Sequence, residues 1–311
     1  MHTDILIIGA GISGITLARK LTAAGRQCIV LDKGRGVGGR MSTRRRDDVR
    51  FDHGAQFITV RDERVQKMFA QLVADGVVRE WFRASSDGLP RYCGVHGMSS
   101  IVAAVAAGSD VRTSIEVTSL EHDGTSWTVR CADGSNFTAD TIVSSAPVPQ
   151  TVQLLSNGNV VLNEHVHTVL ASITYERCIA SLVRTTSPHD VRAVAHPDIA
   201  YIGDNYDKGI SESPAYTIHA TPEFSERMWD ADRSEVAKHL AACVFGDTLE
   251  GVTDIDVHGW KFSRPTTTTE TTFLRAIDQP SLILIGDAFG GPRVEGAIIS
   301  ALDAAELMMG W

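Results

Sequence analysis

Residues 4–14, DILIIGAGISG, commit the start of the chain to one supersecondary unit. The Ile-rich run at 4–9 reads as a buried parallel strand, and Ile12–Ala24 continues with helical spacing until Gly25. A second apolar run, Arg26–Asp32, completes a βαβ unit of the usual span of about 30 residues. Gly9, Gly11 and Gly14 mark its turn: the first permits the tight bend, the second admits a pyrophosphate, and the third lets helix and strand approach closely. The helix start offers its free N–H groups to an anion. Asp32, at the end of the second strand, is placed to accept ribose hydroxyls, and a carboxylate there argues against a 2′-phosphate. A dinucleotide ligand is expected at this end of the chain.

The rest of the 311 residues is more than one such unit needs, so two lobes are expected. With 29 Lys and Arg against 38 Asp and Glu, the net charge of −9 disfavours nucleic acid as a partner, because phosphate binding needs a basic surface. One island departs from this balance. Between Arg35 and Arg50 the chain reads RGVGGRMSTRRRDDVR, which suggests a local anionic ligand, with Arg44–Arg46 as charged surface. The five cysteines form no CxxC pair and no metal-ligand spacing, so reduced thiols, no metal and a cytoplasmic location are expected. The start lacks the basic region of a signal peptide, and no run reaches the roughly 18 apolar residues of a membrane span.

Farther along, Glu63–Asp75 and Ser99–Ala107 have helical spacing. Strands are predicted at 114–122, 126–132 and 136–146, separated by the Asp123-Gly124 and Asp133-Gly134 turns and ended by Pro147 and Pro149. From 150 to about 275 the character changes to strands rich in aromatic and β-branched residues (179–185, 199–203, 215–221, 255–262) around one helix, Ser234–Phe245. This predicts a mostly antiparallel second lobe. A buried strand at 281–285, the segment GDAFGG and a helix Val294–Met309 return to the first lobe.

Just after Asp32, KGRGVGGRMS supplies a second glycine cluster with the cation Arg40, and near the far end a buried strand delivers Gly286-Asp287. The pair of motifs resembles the glutathione-reductase-like flavoproteins, which implies FAD rather than NAD as the bound dinucleotide. Four blocks then narrow the resemblance: DKGRGVGGRMSTRR, FDHGAQFITVRD, HGWKFSRP and GDAFGGPRVEGAIIS, in this order, are similar to the renalase family, especially its bacterial members. The resemblance spans nearly the whole chain and is loosest at about 150–215. It implies a discontinuous Rossmann-type FAD-binding domain of parallel α/β build (1–75, 93–150 and 276–311) and a mostly antiparallel substrate domain (76–92 and 151–275).

The resemblance also implies an activity: an FAD oxidase that takes hydride from the 2-dihydro and 6-dihydro isomers of NAD(P)H, returns NAD(P)+ and passes the electrons to O2, forming H2O2. Its implied cofactor contacts are Gly9, Gly11, Ile12, Ser13, Gly14, Asp32, Lys33, Gly39, Arg40, Met41, Gln56, Val117, Gly286, Asp287, Arg293, Glu295, Gly296 and Ala297. The N-terminus of the last helix is expected to favour negative charge on the flavin. No cysteine lies in the C-terminal flavin block, so the FAD is expected to be non-covalent. His219 and Trp260 are the candidate catalytic residues, while Phe57, Asn205 and Lys208 are candidates for substrate binding, the last two at an entrance loop. Lys261 stands where the family usually has Arg. Two other readings stay open: an amine oxidase, set against an aromatic content of only 6%, and a non-catalytic flavin-binding redox module.

Overall fold

The computed structural model describes residues 1–310. The chain opens with β1 (His2–Ile8), α1 (Ile12–Ala23) and β2 (Cys28–Leu31), followed by a short 3-10 turn at Gly39–Met41. Two hairpins, β3 (Thr43–Arg46) with β4 (Val49–Asp52) and β5 (Val78–Arg83) with β6 (Pro90–Gly94), flank α2 (Glu63–Ala74). Next come α3 (Met98–Ala106), β7 (Asp110–Arg112), β8 (Val117–His122), β9 (Trp127–Cys131) and β10 (Asn136–Ser144). Helices α4 (Val148–Asn157) and α5 (Glu164–Ser172) precede β11 (Tyr175–Thr185), β12 (Ile199–Asp204) and β13 (Ala215–Ala220). The remainder is α6 (Pro222–Arg227), α7 (Arg233–Phe245), β14 (Val252–Pro265), β15 (Leu274–Ile277), β16 (Ser281–Leu284) and α8 (Val294–Met309).

The larger sheet has the order β15-β16-β10-β1-β2-β7, with β9 and β8 joined at β10. The β16, β10, β1, β2 and β7 strands run parallel, while β15 and the β8–β9 hairpin are antiparallel. Alternation along β1 sorts its side chains: Ile5 and Ile7 pack with α1, α3 and α8, whereas Leu6 and Ile8 join the core under α4 and α5. Each such fully buried aliphatic side chain contributes about 1.5–3 kcal/mol. At the β1–α1 turn a Cβ on Gly14 would run into the Gly9 carbonyl oxygen, so only glycine lets α1 start here. The Ser145 hydroxyl, at the end of β10, ties the turn down by bonding the Ile8 and Gly9 carbonyls at 3.0 Å each.

The smaller sheet is antiparallel throughout, in the order β12-β13-β11-β14. Its period-two alternation assigns each face a job. Tyr216 and Ile218 of β13, with Ile179, Val183, Ile255 and Val257, pack beneath α6 and α7. The intervening positions, including Cys178, His219, His258 and Trp260, turn toward the larger lobe, where Ala180, Leu182 and Ala215 close on Val49 and Phe51 of β4.

The sequence expects one helix between 150 and 275, and the structure has more. Pro147 and Pro149 act as starters of α4 rather than as strand breakers, since a helix loses nothing by lacking N–H groups in its first turn. Asn163 caps α5 by accepting from Val166 N at 2.8 Å, and Thr221 caps α6. Helices α4 and α5 pack with the larger sheet, although most of their residues fall in the stretch assigned to the second lobe. Arg44–Arg46 form strand β3, with Arg45 and Arg46 exposed as the charged surface expected; Arg44 pairs with Asp256, and Arg46 with Asp254 at 2.7 Å, stitching β3 to β14. No helix among the described residues is long and apolar enough to cross a membrane.

Candidate active site

A cavity of about 560 Å³ lies between the lobes. On the larger-lobe side it is lined by Gly11, Ile12 and Ser13 at the start of α1, by Arg40 and Met41 of the short turn, and by Gly286 and Asp287 beyond β16. Arg293, Glu295 and Ala297 of the α8 start complete this wall. The opposite wall is Tyr201 of β12, His219 of β13, Cys178 of β11 and Trp260 of β14, with Gln56 and Phe57 from the loop after β4. Distant parts of the chain meet here because parallel strands all present their carboxyl ends at one edge.

This lining suits a dinucleotide. A side chain on Gly11 would meet nothing of the protein within 4 Å, so the cradle beside the helix start is open. The Ser13 hydroxyl is buried there with no hydrogen-bond partner, an orphan in the place where an anion would sit. Asp32 caps the end of β2 and accepts the N–H groups of Ala10 and Gly34 at 2.6 Å each, which orients its carboxylate. Arg40 forms a two-pronged bond with Asp287, both contacts 2.7 Å. Burial would lower the Arg40 pKa, but Asp287 outweighs it and the group is held above its ordinary value. Glu295 accepts from the backbone N–H groups of Arg61 and Asp62, fastening the start of α2 to the start of α8.

The wall on the side of the smaller sheet is built around one backbone carbonyl. His53 O accepts from Trp260 Nε1 at 2.8 Å and lies 3.2 Å from His219 Nε2. A carbonyl can only accept, so His219 is protonated at Nε2 and keeps a lone pair on Nδ1. Burial pushes the His219 pKa down to about 4, so the ring is neutral at neutral pH. His53 stacks on Trp260, with centroids 5.2 Å apart, and meets His258 edge-on at 4.7 Å. Burial, then His258 and Arg44, pushes His53 down to about 3, and His258 is lowered to about 4, chiefly by burial.

These three depressed values fix the sign of a pH effect. Between the ordinary value of 6.5 and about 4 the unfolded chain binds protons that the folded chain refuses. The stability gained by keeping the rings neutral is complete above 6.5 and drains as pH falls through that window. Thermal unfolding is therefore expected several degrees lower at about pH 5 than at about pH 7, and His53→Leu is expected to shrink that gap. An unchanged gap in that variant would show that His53 is not among its sources.

Of the sequence candidates, Gly11, Ile12, Ser13, Arg40, Met41, Gln56, Phe57, His219, Trp260, Gly286, Asp287, Arg293, Glu295 and Ala297 converge on the cavity. Gly9, Gly14 and Gly296 sit behind it and shape turns, and Gly39 packs against Gly11. Asp32, exposed Lys33 and Val117 lie off its lining, around the end of β2. Asn205 and Lys208 depart from the expectation of an entrance loop, since both are fully buried behind Gln56. Lys208 Nζ binds Asp52 Oδ2 at 3.2 Å and Gln56 Oε1 at 2.9 Å, and Asn205 accepts from Asp52 N at 3.2 Å. The polar letters of GDNYDKG suggest solvent, but a buried carboxylate at the end of β4 draws them inward. Sequence reasoning passes over His53, Tyr201 and Arg91; only strand parity on β12 points to Tyr201.

The fold and the cradle define an FAD-dependent oxidoreductase, and comparison with known proteins agrees. A profile for NAD(P)-binding Rossmann-like domains matches residues 7–72, and that of the flavin containing amine oxidoreductases matches residues 79–309. The chain belongs to the flavin containing amine oxidoreductase family. Within that group it is renalase-like: it is 25% identical over 340 residues to renalase of Mus musculus, covering 98% of both chains. Among solved structures, one from Exiguobacterium sp. 255-15 described as a protoporphyrinogen oxidase has a TM-score of 0.73 at 12% identity, covering 99% of this chain and 98% of the other. A triple variant of putrescine oxidase has a TM-score of 0.70 at 14% identity, covering 99% of each chain.

Proposed function

We propose that this protein oxidises dihydropyridine dinucleotides, taking hydride from the 2-dihydro and 6-dihydro isomers of NAD(P)H to give NAD(P)+. When bound, FAD supplies a two-electron acceptor that O2 reoxidises with formation of H2O2. The observation that carries the reading is the charge of the lining. Four guanidinium groups, of Arg40, Arg91, Arg264 and Arg293, face two carboxylates. Of those, Asp287 is paired with Arg40, and Glu295 holds two backbone N–H groups through one of its oxygens. Three of the four cations are paired, Arg40 with Asp287, Arg91 with Asp87 and Arg264 with Glu176, so among the described residues of the lining Arg293 is the guanidinium left for a substrate phosphate.

His219 supports the same reading. A dihydropyridine becomes aromatic by losing hydride, so it needs no strong base, and a ring with a pKa of about 4 is a poor one. Its Nδ1 lone pair instead offers a positioned acceptor for a substrate N–H. Trp260, clamped by the His53 carbonyl, gives a flat wall, with Tyr201 and Phe57 in T-shaped contact, 6.1 Å between centroids, on the same side of the cavity. The work of these residues is placement, which is where a hydride transfer gains most. Gly11, Ser13, Arg40 and Asp287 are the groups that would hold the pyrophosphate and ribityl part of the cofactor. With its reduced thiols, the protein is assigned to the cytoplasm.

Stopped-flow spectra of the holoprotein against a panel of dihydropyridine isomers and amines test this. Rapid bleaching of the flavin by a 2-dihydro or 6-dihydro isomer, with catalytic H2O2 release in air, is expected. Bleaching by amines alone would replace the reading with amine oxidation, and stoichiometric bleaching without turnover would replace it with a redox-sensing role.

A further inference from the structure

The outer side of the antiparallel lobe carries a side-chain cluster that takes no part in the cavity. His239 and Cys243 stand four residues apart on α7, so both leave the same helix face. Opposite them, the segment leading into β12 presents His196 and Asp198. Asp198 Oδ2 lies 2.8 Å from His239 Nε2 and 3.9 Å from His196 Nδ1, and Cys243 Sγ lies 3.6 Å from that same His239 nitrogen. One ligand atom each from His196, Asp198 and Cys243 falls within 4.8 Å of the others.

The cluster is not a Cys-His-Asp relay. Such a relay places the thiol and the acid on opposite nitrogens of the ring. Here both converge on Nε2, which carries either a proton for Asp198 or a lone pair for Cys243 but not both at once. A cation held by His196, Asp198 and Cys243 satisfies all three, and His239, which does not lie within 4.8 Å of every one of them, moves in as the fourth ligand. Two imidazoles, a carboxylate and a thiolate are donors of the kind that hold zinc in a tetrahedron. Bonds of about 2.0–2.3 Å put tetrahedral ligand atoms roughly 3.3–3.8 Å apart, so Sγ and Nε2 already stand at ligand spacing. The Asp198–His239 contact has to open by only about half an ångström.

We propose that His196, Asp198, His239 and Cys243 form a zinc-binding site on the outer face of the second lobe. The surroundings fix the ligands as such sites require. Asp198 Oδ1 is held by Arg227 at 3.2 Å, and the His239 ring stacks on Phe224 at 5.3 Å between centroids. Binding displaces the Cys243 thiol proton to solvent. Because Thr221 N donates to Asp198 O at 2.9 Å, the ion would brace α7 against the start of β12 and the end of β13, the strands that carry Tyr201 and His219. Its role there is structural.

Tag-free holoprotein is titrated with ZnCl2 against a competing chelator, and alkylation of Cys243 is followed by peptide mass spectrometry. One saturable ion per chain is expected, with alkylation slowed at least about tenfold by Zn2+ and untouched by Mg2+. His239→Ala and Cys243→Ser are each expected to weaken binding at least about tenfold, with the flavin spectrum unchanged. No saturable uptake, or no protection of Cys243 in the wild-type protein, would overturn the assignment. So would undiminished uptake by a variant combining His239→Ala with Cys243→Ser, which would move the ion elsewhere, for example to the exposed group of His2, Asp4 and Asp140.

Discussion

Replacing Lys208 by Met is expected to cost the folded protein about 3–5 kcal/mol, the usual penalty for stranding one member of a buried ion pair. Lys208 and Asp52 are both fully shielded from solvent, and the ammonium also holds the Gln56 side-chain carbonyl at 2.9 Å and lies 4.9 Å from the centre of the Trp81 ring. Without it, Asp52 keeps the Thr43 hydroxyl at 2.6 Å and Met98 N at 2.8 Å on one oxygen, while the other faces the interior uncompensated. Because Asp52 ends β4 and Gln56 enters the cavity, the damage reaches the loop that carries His53. Urea unfolding of the holoprotein reads the loss. Adding Asp52→Asn to the Lys208→Met variant removes the stranded charge and is expected to restore a large part of it. A loss below about 1 kcal/mol in the single variant would contradict a dry, charged pair at this position.

The second large effect is expected at Gly11. Its backbone, with φ −74° and ψ 174°, suits any residue, and nothing of the protein lies within 4 Å of the point where a methyl group would stand. Gly11→Val should therefore leave the apoprotein about as stable as the parent, within about 0.5 kcal/mol, while filling the space reserved for the pyrophosphate. Purified variant is expected to be colourless, with FAD affinity down at least about a hundredfold, or roughly 2.7 kcal/mol. Fluorescence titration of the apoprotein with FAD measures this. A yellow variant of parental affinity would place the pyrophosphate somewhere other than the start of α1.

How much of this could be read in the letters depends on where the constraint sits. The β1–α1–β2 unit and the Gly286-Asp287 corner are legible because their chemistry is local: glycines at set offsets, an acid at a strand end. The same holds for α8, whose extent matches the apolar spacing from Val294 to Met309. The ion pairs of the arginine island are illegible for the opposite reason. Its partners, Asp254 and Asp256, are more than 200 residues away, and no spacing rule links them to Arg44 and Arg46. Lys208 and Asn205 fail likewise, since only the fold brings Asp52 to them. His53 is the most instructive case. Its contribution to the wall is a backbone carbonyl, and a main-chain oxygen has no letter in the alphabet.

The division of labour between the faces of the antiparallel sheet has an evolutionary corollary. Along β13, Tyr216 and Ile218 serve the packing beneath the helices, while Thr217 and His219 look the other way. Mutation can therefore rewrite the chemistry of every second position without touching the scaffold that holds it. A lineage starting from such a strand is free to explore new reactants while its architecture stays put.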